Sequence, residues 1–306
     1  MVQQVKRSKP THIWIHQIGI RFPKLLIPIL KLGRISILTT LHDFGAVMGR
    51  KIYPSDFGWT PENTDTHIAE IYNKHLSIKS SRGLRDILIR SRRLLVRYCL
   101  NQSCATICIS ELQAGILHSF GIKISRVVSN GANKCSCVSK LNTNTNELQV
   151  LFAGRPNAKG LELLLQAISE YPNSHLHLAG PSRLAELAEL YLEPTKYTYH
   201  GFLNSIEVYE LIHRVDVVSV LSQCFDVYPT ITLEALAHGT PVMTTSLTGN
   251  SSLVHSMSNE LVVPFAHVPN LTKIAELLGS QSLVFPEVPN VRKIWKQYEE
   301  ILIQIS

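Results

Sequence analysis

Three places along this chain of 306 residues combine residue types and spacings suited to chemistry on a charged or hydroxyl-rich ligand. The first is Gly154-Arg155-Pro156-Asn157-Ala158-Lys159-Gly160, which follows an apolar run and precedes a helical one. Two cations between two glycines at a helix start suit an anion: glycine lets the backbone approach, free amides point outward, and Arg155 and Lys159 supply charge. A solvated turn with two surface cations would show the same residues. The second is Asp226 and Glu234, eight positions apart, with Thr230 four residues before Glu234 and so on its helical face. Pro229 suits the first helical position, so residues 227–231 would present an amide-rich helix start to an anion. A carboxylate there can accept two hydrogen bonds from a sugar or ribose diol. An acid favoured by the helix dipole beside a surface glutamate is the plainer reading of the pair. The third is His42-Asp43 at the end of an apolar run, where an imidazole can contact a hydroxyl or carry a proton. One histidine among 13 can equally serve the core or a loop.

These residues need a scaffold, and the second half of the chain supplies the pattern of one. Strands are expected at Gln149 to Ala153, His175 to Ala179, Tyr197 to His200, Asp216 to Leu221, Pro241 to Thr245 and Glu260 to Pro264. Between and after them, helices are expected at Leu161 to Ile168, Ser182 to Leu192, Ser205 to His213, Pro229 to His238, Leu271 to Leu278 and Val291 to Ile303. Such alternation implies an α/β fold with a parallel sheet covered on both faces, and ligands in such sheets bind beyond the carboxyl ends of the strands. In the first half, His12 to His16 and Ile35 to Leu41 read as strands flanking a helix, with Ala105 to Ile109 and Arg126 to Val128 as later strands. Asp43 to His75 reads as a long loop, and the polar run Ser136 to Glu147 as an interdomain linker. The division that follows is 1–140, 148–285 and a C-terminal helix at 286–306.

With 45% hydrophobic and 17% charged residues, the chain can bury a sizeable core and is too long for one ordinary unit, so two domains are expected. A net charge of +7 favours anionic partners, and no nucleic-acid reading motif accompanies it. The six cysteines carry neither zinc-knuckle spacing at Cys104 and Cys108 nor at Cys135 and Cys137. With no secretory signal ahead of them they fit a reduced, cytoplasmic setting. No apolar stretch reaches the ~20 residues of a spanning helix. From Lys79 to Arg97, cations alternate with Leu, Ile and Val, which suits either a solvated helix or a helix facing anionic lipid.

The run Phe225-Asp226-Val-Tyr-Pro-Thr230-Ile-Thr-Leu-Glu234-Ala-Leu-Ala-His-Gly239-Thr-Pro241-Val resembles the signature of glycosyltransferase family 4, two acids separated by seven residues and a Gly-Thr-Pro-Val tail. Phe152-Ala-Gly154-Arg155 to Lys159-Gly160-Leu is similar to that family's phosphate segment. His177-Leu-Ala-Gly180, His200-Gly-Phe-Leu203, Ile109-Ser-Glu111, Val128-Ser-Asn130-Gly131-Ala-Asn133 and Leu41-His42-Asp43 resemble further family segments, so the likeness runs from about His12 to the end.

The resemblance implies a GT-B architecture, two Rossmann-like parallel-sheet domains facing a cleft. It implies a retaining, metal-independent glycosyltransferase of hexosyltransferase type, with a nucleotide-diphosphate sugar as donor and no cofactor. The acceptor would be a glycan or a lipid-linked species, reached at the cytoplasmic face of a membrane. Carried over by position, Gly154, Arg155, Lys159 and Thr230 would bind the donor diphosphate and Glu234 the ribose. Asp226 would touch the donor sugar, and His42 would line the reacting centre. The chain departs from the family in three ways. Asp226 stands where glutamate is commoner, which with Tyr-Pro-Thr resembles the bacterial surface-polysaccharide subgroup. The loop from Arg155 to Lys159 is about one residue shorter than usual. The chain begins where a family member is well into its first domain, which implies an incomplete N-terminal domain. A protein of this fold that binds a nucleotide sugar or a partner without turnover is the alternative expectation.

Overall fold

The computed structural model describes residues 10–16, 25–45, 51–65, 84–134, 147–280 and 282–305. The chain forms two compact units, one from the described parts of Met1–Asn130 with Val291–Ser306, the other within Gly131–Asn290. The expected linker, apart from Glu147, and much of the expected long loop lie outside the described residues, as do Lys79, Arg82, Cys135 and Cys137.

The first unit contains β1 (His12–His16), α1 (Leu26–Leu32), β2 (Ser36–Leu41), α2 (Leu84–Leu100), β3 (Ala105–Cys108), α3 (Glu111–Ser119) and β4 (Arg126–Val127). All neighbouring strands pair in parallel, in the order β1-β2-β3-β4. Ile37, Leu38 and Leu41 of β2 and Ile107 and Cys108 of β3 are fully or almost fully buried, the signature of strands covered on both faces. Part of the cover comes from the far end of the chain. In α10 (Val291–Gln304), Ile294, Tyr298 and Ile301 recur at four- and three-residue spacing and pack on Leu38, Ala105, Ile107 and Val128. Ser36 Oγ donates to the Ile305 carbonyl at 2.9 Å, fixing the helix end near the start of β2. The division by sequence set 286–306 apart, whereas the structure uses the last helix as a wall of the first unit.

The second unit runs β5 (Leu148–Ala153), α4 (Leu161–Glu170), β6 (Ser174–Ala179), α5 (Arg183–Ala188), β7 (Tyr197–Gly201), α6 (Ser205–Arg214), β8 (Val217–Val220), α7 (Thr230–Ala237), β9 (Val242–Thr245), α8 (Ser251–His255), β10 (Val262–Val263) and α9 (Leu271–Gly279). Its parallel sheet has the order β10-β9-β8-β5-β6-β7. After β5 the chain winds outward through β6 and β7, then crosses back to place β8 on the other side of β5. The topological switch therefore lies between β5 and β8. Val150, Leu151 and Phe152 of β5 sit at the centre of the core with Leu164 and Leu165 of α4 and Val217 and Val218 of β8. Local signals set the helix starts: Asn204 caps α6 with a capping box to Glu207, and Asn270 caps α9.

One face of this sheet carries histidines. His177 bonds through Nδ1 to His200 Nε2 at 3.0 Å and through Nε2 to Gln149 Oε1 at 3.0 Å, while His175 Nε2 meets Thr198 Oγ1 at 2.8 Å. Because Gln149 uses its amide hydrogen on the Glu147 carbonyl, its oxygen accepts from His177 Nε2–H. His200 Nε2–H then donates to the bare His177 Nδ1. Burial first, and then the neighbouring charges of His175, His200 and Arg214, push His177 down to about 4 from its ordinary 6.5. Between those two values the unfolded chain binds more protons than the native one, so stability is lost as pH falls. Denaturant titrations from about pH 7 to about pH 5 are expected to show that decline, and His177→Gln to flatten it. An unchanged slope in the variant would contradict the assignment.

Candidate functional site

Four of the residues singled out in the second unit follow the two strands that flank the switch between β5 and β8. Gly154, Arg155 and Lys159 follow the carboxyl end of β5, and Asp226 follows that of β8. Lys159 Nζ and Asp226 Oδ2 form an ion pair, both side chains being partly buried. Ser222 Oγ donates to the same carboxylate oxygen at 2.9 Å. Arg155 is exposed, with its guanidinium free of any ion pair among the described residues. Two loops far apart in sequence are thus joined by a paired ammonium and carboxylate, and the first of them also carries the exposed Arg155.

Backbone contacts hold those loops at a fixed separation. Gly160 precedes α4 in the left-handed region, φ +71°, and a Cβ there would lie 2.1 Å from the Leu221 carbonyl oxygen. Only glycine lets the β5 loop approach the end of β8 so closely. The Gln223 amide donates to the Ala158 carbonyl at 2.9 Å, a second tie between the same loops. The third loop, after β9, joins through Asp226. Its amide donates to the Leu247 carbonyl at 2.9 Å, and its carbonyl accepts from the Gly249 amide at 2.8 Å.

Behind these loops runs a buried hydroxyl network. Thr245 Oγ1 donates to the Ser222 carbonyl at 2.8 Å, Thr244 Oγ1 to the Val220 carbonyl at 3.1 Å, and Thr244 and Thr248 share a hydrogen bond at 2.9 Å. Asn250 Nδ2 donates to the Pro229 carbonyl at 2.8 Å, tying the β9 loop to the start of α7. Sequence reasoning missed Ser222, Thr244, Thr245, Thr248 and Asn250. The polar run Thr244-Thr245-Ser246-Leu247-Thr248-Gly249-Asn250, which ends β9 and opens the loop after it, was the available signal for all of these but Ser222.

α7 carries the other two candidates. Pro229 is its N-cap rather than its first helical residue, with extended ψ of 120° and no side-chain cap. Proline has no amide to donate, so the first free amides belong to Thr230, Ile231 and Thr232. Thr230 is exposed at this start, and Glu234 follows one turn later. Glu234 is half-buried with no side-chain hydrogen bond among the described residues, and burial raises its carboxyl above 4.5. At the far end of the helix His238 is buried, bonded through Nδ1 to His213 Nε2 at 2.7 Å and stacked on Tyr209. An uncapped helix start, an exposed hydroxyl and a carboxylate without protein partners suit an anion carrying a diol.

His42 belongs to the first unit, one residue past β2. Its Nε2 lies 3.2 Å from Nδ1 of His16, at the end of the adjacent strand, and the rings stack at 17° with centroids 5.4 Å apart. His16 in turn lies 4.1 Å from the Trp14 ring, which neighbours Trp295 at 5.6 Å and Tyr298 at 4.6 Å. Burial lowers both imidazoles, the proximity of Asp43 opposing this at His42 and that of His42 adding to it at His16. His16 was not anticipated, although it ends the strand expected at His12 to His16.

The family model of Glycosyl transferases group 1 matches residues 138–296. An uncharacterized glycosyltransferase of Methanocaldococcus jannaschii is 31% identical over 132 residues, which is 39% of this chain and 33% of that protein. The match thus spans a third of that relative's length. Among solved structures, sucrose-phosphate synthase from Thermosynechococcus elongatus superposes with a TM-score of 0.69 at 17% identity, covering 99% of this chain and 76% of that one. Anabaena HepE in complex with UDP-glucose gives 0.65 at 16% identity, covering 99% and 81%. At such identities the likeness concerns the fold, which is GT-B.

The raised carboxyl of Glu234 generates a test that needs no ligand. Burying its charge costs stability at neutral pH, so Glu234→Gln is expected to melt at a higher temperature at pH 7. A raised native pKa means that the wild type gains stability as pH falls through it, so the advantage of the variant should shrink on acidification. A variant that melts lower at pH 7 would contradict the unpartnered, half-buried carboxylate.

Proposed function

The chain belongs to the glycosyl transferases group 1 family, and on that ground we propose that it transfers a sugar from a nucleotide-diphosphate donor, retaining anomeric configuration and without a metal ion. The observation that carries this reading is the Lys159–Asp226 ion pair across the β5/β8 switch, with exposed Arg155 in the same loop as Lys159 and the uncapped start of the helix bearing Thr230 and Glu234 a few residues after Asp226. In the proposed complex Arg155, Lys159, the Gly154 backbone, Thr230 and the amides that start α7 receive the diphosphate. These groups would replace a divalent cation in stabilising the leaving group, each well-placed donor being worth about 3 kcal/mol of barrier. Glu234 takes the ribose diol through two hydrogen bonds, and Asp226 contacts the donor sugar. The role of His42 at the reacting centre rests on the likeness of Leu41-His42-Asp43 to family 4. The HepE structure contains UDP-glucose, which supports a nucleotide sugar as the donor class. Membership of family 4 and of its surface-polysaccharide subgroup, with a glycan or lipid-linked acceptor, rests on the Asp226 to Pro241 signature.

Isothermal titration with UDP-, GDP- and ADP-glucose tests the donor site. One of them should bind, and Glu234→Ala should weaken it about a hundredfold through the loss of two hydrogen bonds to a charged acceptor. Arg155→Ala should weaken binding of the free nucleoside diphosphate as well, and EDTA should leave turnover unchanged. Wild-type affinity in Glu234→Ala would refute the ribose assignment, and silence with all three donors would refute the transferase reading.

We further propose that the first unit meets an anionic membrane. α1 and α2 pack side by side and expose Leu25, Ile29, Leu32, Leu94 and Tyr98, with Leu32 86% accessible. Lys31, Arg34 and Arg97 are exposed on the same two segments. Apolar side chains edged by cations suit the boundary between acyl chains and acidic headgroups. No described helix is long and apolar enough to cross a membrane, so the contact would be peripheral. Flotation should carry the protein with vesicles containing phosphatidylglycerol and leave it behind with pure phosphatidylcholine. Leu32→Glu should abolish the difference, and equal partitioning of the wild type would end the idea.

A further inference from the structure

His16 ends β1 and His42 directly follows β2 on the same face, because His16 is in register with Thr40 and side chains alternate along the extended chain. The support beneath them is fixed. Trp14 donates its Nε1 hydrogen to Thr40 Oγ1 at 2.9 Å, and its ring carries His16 at 4.1 Å, with Tyr298 at 6.4 Å from the same imidazole. On the other side, the Asp43 carboxylate accepts from the Gly45 amide at 2.7 Å, and Gln113 Nε2 donates to the Asp43 carbonyl at 3.2 Å. The chain on either side of His42 is therefore anchored, and the 3.2 Å approach of the two imidazoles belongs to a built cluster.

We propose that His16 is a positioning residue that holds His42 in one tautomer, with its hydrogen on Nε2 and a bare lone pair on Nδ1. The proposal rests on the reading of His42 as the histidine of the reacting centre. A hydrogen bond between two imidazole nitrogens needs one hydrogen between them. If His42 Nε2 donates to His16 Nδ1, both rings hold their hydrogen on Nε2, the tautomer a histidine side chain favours intrinsically. The reverse assignment puts both rings in the less favoured form. The hydrogen bond made by one nitrogen then fixes the state of the other.

The consequence for chemistry is a defined acceptor. A bare Nδ1 can receive a sugar hydroxyl hydrogen at every encounter, whereas an imidazole that samples both tautomers offers that lone pair only part of the time. The pair also titrates as a unit, because a second hydrogen between the facing nitrogens would break the contact. Among the described residues, the other ionisable neighbours are Asp43 beside His42 and Tyr298 beside His16. Partial burial, joined at the more exposed His16 by the nearness of His42, lowers both imidazoles from their ordinary value, in the direction that favours the neutral, singly bonded pair.

The test is long-range proton–nitrogen NMR on the full chain with nitrogen-labelled histidine, comparing wild type, His16→Ala and His16→Asn. Asparagine places its carbonyl oxygen where Nδ1 of histidine sits and cannot titrate. In the wild type at pH 8, His42 should show a protonated Nε2 and a bare Nδ1. His16→Ala should give the averaged shifts of a tautomer mixture, and His16→Asn should restore the single form. With whichever of UDP-, GDP- or ADP-glucose is turned over, His16→Ala should lower kcat about tenfold, through loss of the held ring orientation together with the fixed tautomer, while the donor KM stays within about twofold. Opening His42 to water raises its pKa toward the ordinary value, so the acid limb of kcat should move to higher pH, and His16→Asn should recover most of kcat. A wild-type His42 with its hydrogen on Nδ1, or one unchanged in His16→Ala, overturns the proposal. A wild type inert toward all three donors removes the transferase reading, and the nitrogen shifts still decide the pairing.

Discussion

The ion pair between Lys159 and Asp226 is the contact on which the arrangement of the second unit turns. It joins the loop after β5 to the loop after β8, the two strands on either side of the switch where a doubly wound sheet opens a crevice. As a source of stability it is weak, since partly exposed pairs are worth about 0–1 kcal/mol. Its effect is positional. The ammonium that would meet a diphosphate is aimed by the carboxylate that would meet the sugar, so neither loop can shift without disturbing the other. The close approach of Gly160 to the Leu221 carbonyl and the Gln223 to Ala158 hydrogen bond hold the spacing that makes the pair. The Thr244 and Thr245 hydroxyls then satisfy the Val220 and Ser222 carbonyls at the end of β8 that such tight packing buries.

Glu234 follows a different logic. It is half-buried, carries no protein partner among the described residues and has its carboxyl raised by burial alone. A carboxylate left in that condition costs free energy in the folded protein, and a ligand diol at that position would offset the cost. The helix that carries it is held at both ends, by Asn250 on the Pro229 carbonyl and by the buried His213–His238 pair. Rigid support around an unsatisfied group sets Glu234 apart from an ordinary surface glutamate and is what the proposed ribose contact rests on.

Much of this was legible in the sequence because strand ends and helix starts leave local marks. The apolar run before Gly154, the glycines around Arg155 and Lys159, and the Asp226 to Pro241 run marked the strand ends and the helix start at which the structure places these residues. Contacts between distant segments left no such mark. Nothing in the spacing indicated that Lys159 and Asp226 would bond each other, or that Ser222 would share the carboxylate. Pro229 looked like a first helical residue because its fixed φ fits that position, yet its extended ψ places it just outside. The last helix could be read from its period, but its seat on Leu38 and Ile107 depends on which apolar face lacked a cover. His16 was hidden for a similar reason: its importance lies in a neighbour on the adjacent strand.

A crystal structure of the protein soaked with UDP tests the central claim most directly. The account predicts a diphosphate seated against Arg155, Lys159 and the amides that open α7, with the ribose hydroxyls on Glu234. Nucleotide bound elsewhere on the chain, or a Glu234 carboxylate directed away from the ribose, would contradict it.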